Sequence, residues 1–353
     1  MGKTKVIRSV IEGLDYYCRK TDSQTLKKLA FSVGSPIGTT KTSLRDNIVA
    51  QCQLLHNLTT IKREHGWISI TAVDMGLENF AYCKLQWRTD QTLPTVVEWN
   101  KMQLQGPVLN SGVSKIPFTP RFMAEAGQRL TDILTKDPPH LFVIERQRTR
   151  TMGSAKVPDP ILKVNALEHV LYMSLSAKKL YVKGFEYMVE SSDPRRMTNF
   201  WCQLVPVKEV LDSKYGPDSP KARLKATSST LTKMLKIGLV KSLLLQQSPQ
   251  AFTLTSELEQ KLTSYRHKNP QKKLDLFQFL DLGDGAGKPK EDDLADSLLH
   301  GVAWLKWLKT FEELKEVIMT SDTADTGLEA FNNFNKAKRI ESEQFFRSCI
   351  TEL

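Results

Sequence analysis

The feature that most constrains the fold is a pair of apolar segments joined by a short turn that begins with an aspartate. Residues 68–73 read Ile-Ser-Ile-Thr-Ala-Val, a β-branched and partly alternating run that predicts a strand. The run ends in Asp74-Met-Gly76, and a second strand is predicted from about residue 79 to Trp87. A carboxylate is thus placed where a buried strand ends, beside a glycine that allows close approach of another group.

Later segments extend this pair into a mixed α/β fold. Residues 95–104 predict a third strand, residues 119–136 a helix, and residues 140–145 a short buried strand that ends in Glu145. A helix from Asp159 and a strand at 187–190 follow. This order is the ribonuclease H-like plan, a five-stranded mixed sheet in the order 3-2-1-4-5 flanked by helices. Its first and fourth strands are neighbours, so the carboxylates of Asp74 and Glu145 are expected side by side.

An acidic helix start supplies further carboxylates. Residues 291–308 predict a helix, because apolar side chains recur on one stripe. Asp293 and Asp296 are three apart and share a face, while Asp292 and Asp296, four apart, fit equally well. Carboxylates alone favour hard cations, Mg²⁺ or Mn²⁺. Two such ions about 3.5–4 Å apart suit the attack of water on a phosphodiester.

Each acid also has a simpler interpretation. Asp74-Met-Gly76 could be an ordinary turn, or the phosphate-binding hairpin of sugar-kinase folds. Glu145 could pair with the arginines that follow it, and acids at 291–293 could be helix N-terminal charges. Asp74 and Glu145 each end a predicted strand, and the other acids begin a predicted helix. This joint placement favours the metal site over the simpler interpretations.

Net charge, hydropathy and cysteine spacing limit the class of protein and the kind of partner. The net charge of +11 favours a polyanion, nucleic acid first and an anionic membrane surface second, with an inert basic surface as the alternative. No apolar run reaches the roughly 18 residues that predict a membrane helix, so a membrane protein is not expected. The five cysteines are widely spaced without a C-x-x-C pair, which argues against disulfides and structural zinc and favours a reducing compartment.

The first 60 residues predict a separate helical module. Two helices flank the turn from Gly34 to Lys41, a pattern that resembles the DNA-binding SAP fold, although an ordinary helical hairpin is the alternative. The predicted organisation is this module at 1–60, a nuclease domain at 61–320 and a helical or flexible tail at 321–353. The basic N-terminus leaves a mitochondrial presequence open.

Basic residues near these elements are candidate DNA contacts, with intramolecular ion pairs or a solvated basic face as the alternatives. The candidates are Lys41, Arg146, Arg148, Arg150, Lys156, Arg195, Arg196, Lys221, Arg223 and Lys225.

Three blocks resemble the fungal mitochondrial Holliday-junction resolvases, a RuvC-type branch of the ribonuclease H-like superfamily. They are the run from Val143 to Met152 with Asp159 to Val164 after it, the run from Ser191 to Thr198 with Trp201, and the run from Asp292 to Ser297. The resemblance implies a homodimeric, Mg²⁺-dependent endonuclease that nicks four-way DNA junctions symmetrically in mitochondria, without a small-molecule cofactor.

The resemblance also implies roles for single residues. It places Asp74, Glu145, Asp293 and Asp296 in the catalytic positions. Because Asp292 directly precedes Asp293, the resemblance leaves open which of these two residues is the third acid. The apolar helix 161–175 is a candidate dimer helix, and His169 and His300 are interpreted as structural.

Three other functions compete with this one. A ribonuclease H-like nuclease would cleave RNA–DNA hybrids without preferring branched DNA. A non-catalytic DNA-binding protein would bind junctions regardless of Asp74. A sugar-kinase-like ATPase would need a second glycine-rich phosphate loop, and the sequence shows none in a strand context.

Overall fold

The computed structural model describes residues 9–104, 119–147, 158–217, 219, 230–248, 250–283, 290–320 and 323–350. Contacts divide the chain into two units. The sheet unit comprises Ile68–Met197 and Leu243–Val302, and the helical unit comprises Met1–Trp67, Thr198–Ser242 and Ala303–Leu353.

The elements alternate between helices and strands after an all-helical start. The strands are β1 (Trp67–Asp74), β2 (Phe80–Arg88), β3 (Thr95–Met102), β4 (Leu141–Glu145), β5 (Met188–Ser192) and β6 (Thr253–Leu254). The helices are α1 (Val10–Lys20), α2 (Ser23–Val33), α3 (Lys41–His65), α4 (Pro120–Leu134), α5 (Asp159–Tyr181), α6 (Pro194–Cys202), α7 (Val207–Tyr215), α8 (Leu231–Leu245), α9 (Ser256–Lys268), α10 (Leu276–Leu280), α11 (Glu291–Met319) and α12 (Ala324–Ile350).

The sheet is mixed, and its strand order is β5-β4-β1-β2-β3-β6. β1 and β4 are parallel, with Val73 opposite Ile144, and β4 and β5 are parallel as well. β2 and β3 run antiparallel. The prediction of five strands was wrong by one, because β6 joins the β3 edge as a two-residue parallel strand. Two residues are too few for a periodic signal in the sequence.

Helices cover both faces of this sheet. On one face, Val73, Phe142 and Ile144 pack with residues of α4 and α5, including Leu130 and Leu171. On the other face α11 lies so close that a Cβ at Gly301 would be 2.3 Å from Leu85 Cδ1 and 3.4 Å from Ala72 Cβ. Since adjacent strand residues point to opposite faces, Ala72 and Val73 mark the two layers. The sheet is therefore the middle layer of a three-layer unit.

The helices of the helical unit have clear end signals. Asp22 caps α2, and Gly34 ends it in the left-handed conformation. Thr40 is the N-cap of α3 and forms a capping box with Ser43. A Cβ at Gly34 would lie 2.1 Å from Trp307, so this glycine serves both the turn and the packing.

The C-terminal segment is an integral part of the helical unit. α12 spans 27 residues, and Phe331 and Phe346 are fully buried. The Phe331 ring lies 5.6 Å from that of Tyr17, which joins α12 to α1. The segment predicted as a helical or flexible tail thus contains a long packed helix. The predicted domain boundaries at residues 60 and 320 remain a prediction, because they concern which segments can fold independently. Among the residues described, no helix combines the length and apolarity that spanning a bilayer requires.

Candidate metal centre

Three carboxylates from three elements of the sheet unit converge at the ends of two neighbouring strands. Asp74 is the last residue of β1, Glu145 is the last residue of β4, and Asp296 lies in the second turn of α11. One carboxylate oxygen of each lies within 4.8 Å of those of the other two. The parallel register that pairs Val73 with Ile144 brings the following residues side by side. The predicted proximity of Asp74 and Glu145 is thus observed, and Asp296 completes the group.

The negative charges of the three carboxylates favour the binding of a cation. Burial raises the pKa of the Asp74 carboxyl well above its usual range, and the charges of Glu145, Asp296 and Asp293 raise it further. A partly buried set of like charges disfavours full ionisation unless a positive charge compensates it. An all-carboxylate donor set of this kind fits hard divalent cations. The residues present therefore fit a metal ion on both donor chemistry and charge.

Asp293 lies outside this three-residue group. Its Oδ2 atom accepts a hydrogen bond from Lys101 Nζ at 2.7 Å, and the lysine side chain is fully buried. Burial raises the pKa of the Asp293 carboxyl, and Lys101 opposes that shift. Asp292 is half-buried next to it. The choice between Asp292 and Asp293 as a further metal ligand stays a prediction, as do the catalytic roles of all four predicted acids.

Sequence reasoning missed two neighbours of the site. His300, interpreted as structural, is buried, and its Nε2 atom lies 3.7 Å from Glu145 Oε2. A signal for it existed, since His300 follows Asp296 by four residues and so shares its helix face. Lys101 received no role. Its signal was a lysine two residues after Trp99 in a predicted strand, which places both on one face.

Hydrogen bonds fix the main chain directly after Glu145. The Arg146 backbone N–H donates to the Ser192 carbonyl at 2.9 Å. The Gln147 N–H donates to Glu168 Oε2 at 2.9 Å, and Glu168 is a buried residue of α5. β5 and α5 therefore hold the segment that leaves the metal centre from two sides.

The predicted arginine cluster forms in part. Arg146 Nη2 lies 2.8 Å from Asp193 Oδ2 in an exposed ion pair, and Asp193 Oδ1 caps the backbone N–H of Arg195. Burial lowers the pKa of the Arg196 guanidinium to about 10, against the opposing charges of Asp193 and Glu190. Asp193 thus binds the Arg146 guanidinium and the Arg195 backbone directly after β5.

Of the other candidate DNA contacts, Lys41 lies among the described residues. Lys41, at the start of α3, is exposed, and its Nζ atom donates to the Arg19 carbonyl. The remaining predicted contacts lie outside the described residues: Arg148, Arg150, Lys156, Lys221, Arg223 and Lys225.

A protein-family comparison identifies the chain's relatives. Residues 70–314 match the model described as mitochondrial resolvase Ydc2 / RNA splicing MRS1. The chain belongs to this family. The match spans β1 to α11 and includes all three carboxylates of the candidate metal centre.

Relatives within this family carry two kinds of name. The chain is 35% identical over 314 residues to cruciform cutting endonuclease 1, mitochondrial, of Saccharomyces cerevisiae, covering 84% of the chain and 85% of that protein. It is 28% identical over 221 residues to the mitochondrial RNA-splicing protein MRS1 of the same species, covering 60% of the chain and 59% of that protein. Both names agree with the predicted mitochondrial location.

Among solved structures, the yeast mitochondrial Holliday junction resolvase Ydc2 matches with a TM-score of 0.45 and 18% identity, over 84% of this chain and 98% of that one.

Proposed function

We propose that this protein is a structure-selective endonuclease that resolves four-way DNA junctions by paired symmetric nicks in mitochondria. The observation that carries the proposal is the convergence of Asp74, Glu145 and Asp296. That group occurs in a chain that aligns over most of its length with a relative named as a cruciform cutting endonuclease. A relative named for RNA splicing makes structured RNA the second candidate ligand.

Asp74, Glu145 and Asp296 would hold Mg²⁺, with Mn²⁺ as a substitute, and Asp292 or Asp293 would complete the ligand set. Bound divalent cations supply an activated water and stabilise the charge that develops on the leaving 3′-oxygen. The protein contributes the fixed position of the carboxylates. Asp74 and Glu145 are set by adjacent parallel strands, and Asp296 is set by the packing of α11 on the sheet.

The arginines that follow the metal centre are the proposed grip on DNA. The Arg146 guanidinium pairs with Asp193, one residue beyond β5, and the exposed Arg195 follows two residues later. Guanidinium groups suit the bidentate binding of phosphates. The N-terminal module, with the exposed Lys41, is proposed as a second DNA-binding element, since the helix–turn–helix pattern resembles a SAP fold.

A homodimer is the proposed active assembly, because a four-way junction has two-fold symmetry. α5 offers an apolar outer stripe for it, formed by Leu162, Ala166, Met173 and Leu180 at spacings of four or seven residues. The exposed fractions are 47% for Leu162, 74% for Met173 and 73% for Leu180. Side chains of this size and exposure on one helix are typical of an interaction surface.

The test compares the wild-type protein with Asp74→Asn on a synthetic four-way junction in Mg²⁺. A linear duplex of the same sequence, an RNA–DNA hybrid and a folded RNA serve as controls. We expect paired nicks on opposed strands of the junction alone, and a rate reduced at least about 1,000-fold in the variant, because a ligand of the reacting centre is lost. Junction binding by the variant, measured in Ca²⁺ by gel shift, is expected to persist.

The other outcomes each point elsewhere. Junction binding without cleavage by either protein would make this a non-catalytic DNA-binding protein. Cleavage of the hybrid with no preference for the junction would identify a ribonuclease H-like activity. Binding of folded RNA in preference to the junction would favour the second candidate ligand.

A further inference from the structure

Lys101 is a fully buried lysine on β3, beside the candidate metal centre. Its Nζ atom donates to Asp293 Oδ2 at 2.7 Å and to the Lys290 carbonyl at 2.9 Å. The same ammonium group lies 5.0 Å from the ring centroid of Phe277. Taking a charge out of water costs several kcal/mol, roughly, unless close partners compensate it. A buried ammonium with this set of partners therefore reflects a specific requirement at this position rather than space filling.

The two hydrogen-bond acceptors of the Lys101 ammonium described above lie at the start of α11 or directly before it. Lys290 immediately precedes the helix, and Asp293 lies in its first turn. Trp99, two residues earlier on the same face of β3, donates its indole N–H to the Leu294 carbonyl at 3.1 Å. The carboxylate of Glu291 accepts the backbone N–H of Leu276 at the start of α10. The first turn of α11 is thus tied to β3 and α10 at several points.

The anchored turn determines where Asp296 points. Asp293 and Asp296 are three residues apart on one helix, so fixing the rotation of the helix at Asp293 also fixes it at Asp296. The opposing carboxylates, Asp74 and Glu145, repel Asp296 until a cation is present. Without an anchor, this repulsion would favour rotation or fraying of the first turn. An ammonium bound to Asp293 opposes that tendency and removes one uncompensated charge from the vicinity.

We propose that Lys101 is a positioning residue of the metal centre, which anchors the first turn of α11 through Asp293 and the Lys290 carbonyl so that Asp296 faces Asp74 and Glu145 before metal binds. This rests on the proposed function, because it concerns the same metal centre. Lys101 acts through Asp293 and touches neither substrate nor metal. The consequence is a preorganised site, whose metal affinity depends on a residue of a different element.

The test measures Mn²⁺ binding to the full-length protein by titration calorimetry, without DNA. Lys101→Met is expected to weaken Mn²⁺ binding about tenfold or more, the usual range for residues that support metal ligands. Lys101→Arg keeps the charge and the donors and is expected to recover most of the affinity. Lys84→Met is the matched control, because Lys84 lies on β2 and binds the Asp137 carbonyl away from the metal centre. It is expected to leave Mn²⁺ binding unchanged.

Asp293→Asn tests the route of the effect. If Lys101 acts through Asp293, Lys101→Met is expected to weaken Mn²⁺ binding less in the Asp293→Asn background than in the wild type. Should Lys101→Met fail to fold, Lys101→Gln keeps a hydrogen-bond donor without the charge and is expected to weaken binding in the same direction.

Two results separate this inference from the proposed function. A folded Lys101 variant that binds Mn²⁺ as tightly as the wild type, or more tightly, overturns the positioning role and leaves the nuclease proposal intact. A wild-type protein that binds no Mn²⁺ overturns the metal centre itself, and both proposals with it.

Discussion

At the scale of single residues, the site without metal is destabilised by its own charges. Burial and the neighbouring acids raise the pKa of Asp74 well above its usual range. The folded protein therefore holds this proton to a higher pH than the unfolded chain does. Stability contributed by the protonated carboxyl is lost as pH rises from the unfolded pKa through the folded one.

This linkage predicts that Asp74→Asn stabilises the metal-free protein at neutral pH. The amide keeps the shape of the carboxyl without its charge, so we expect a gain of about 1 kcal/mol or more at pH 7.5 and a smaller gain at pH 5. Urea unfolding in a chelator at both pH values measures it. Asp90→Asn, on an exposed acid that pairs with Arg88, is the control and is expected to show no such pattern. A variant less stable than the wild type at pH 7.5 in chelator would contradict the prediction.

At the scale of elements, the metal centre depends on how closely α11 packs on the sheet. Gly301 lies five residues after Asp296, and its missing side chain lets the helix approach Leu85 and Ala72. The helix therefore carries two determinants of the position of Asp296. One is the anchored first turn, and the other is the close contact with the sheet at Gly301.

Enlarging Gly301 should move the helix away from the sheet. Gly301→Ile is expected to cost about 1–3 kcal/mol in the free energy of unfolding, as overpacking does. Mn²⁺ binding should weaken with it, because Asp296 moves with the helix. Gly301→Ala is expected to be nearly neutral, since its Cβ meets the flexible end of Leu85 and alanine favours the helix.

Gly283→Ile is the control for this prediction, because a Cβ there meets nothing within 4 Å. Unfolding by urea and Mn²⁺ titration measure both effects, and unchanged Mn²⁺ affinity in a destabilised Gly301→Ile would show that the packing serves stability alone.

At the scale of the whole molecule, the proposed symmetric cleavage requires two copies of the chain. The exposed stripe on α5 is the surface proposed to join them, and α5 also reaches the metal centre through the hydrogen bond between Glu168 and the Gln147 N–H. The proposed dimer surface and the support of the segment that leaves the candidate metal centre therefore lie on one helix. The assignment of α5 extends the candidate dimer helix at 161–175 by six residues, to Tyr181.

Charges on this stripe should separate the copies without harming the site. The double variant Met173→Glu, Leu180→Glu is expected to sediment as a monomer, because two acids on the stripe would be desolvated and face like charges in the interface. Mn²⁺ binding is expected to be unchanged, while paired nicks on the junction give way to single nicks. Lys179→Glu, an exposed change beside the stripe, is the control. A monomeric wild-type protein that still makes paired nicks would refute the assembly.

The sequence by itself determined the strands that carry the site. The β-branched runs that end in Asp74 and Glu145 predicted two strand ends, and the order of elements predicted that those ends are neighbours, as the structure shows. The acid-rich start of α11 and its apolar stripe were equally visible. These features follow from local periodicity and from the position of charges relative to element ends, which short stretches of sequence record.

Tertiary structure alone decided what surrounds the acids at the start of α11. By spacing, Asp292 and Asp293 were equally good partners of Asp296, whereas in the fold Lys101, 192 residues away, binds Asp293. β6 and the packing of α12 against α1 were also outside the reach of local patterns, since a two-residue strand gives no periodic signal and the partner of α12 lies in a distant segment. Distant segments are joined by a buried ion pair, by a helix-to-sheet contact at one glycine and by a strand added at a sheet edge. Their energies depend on distances that exist only once the chain has folded.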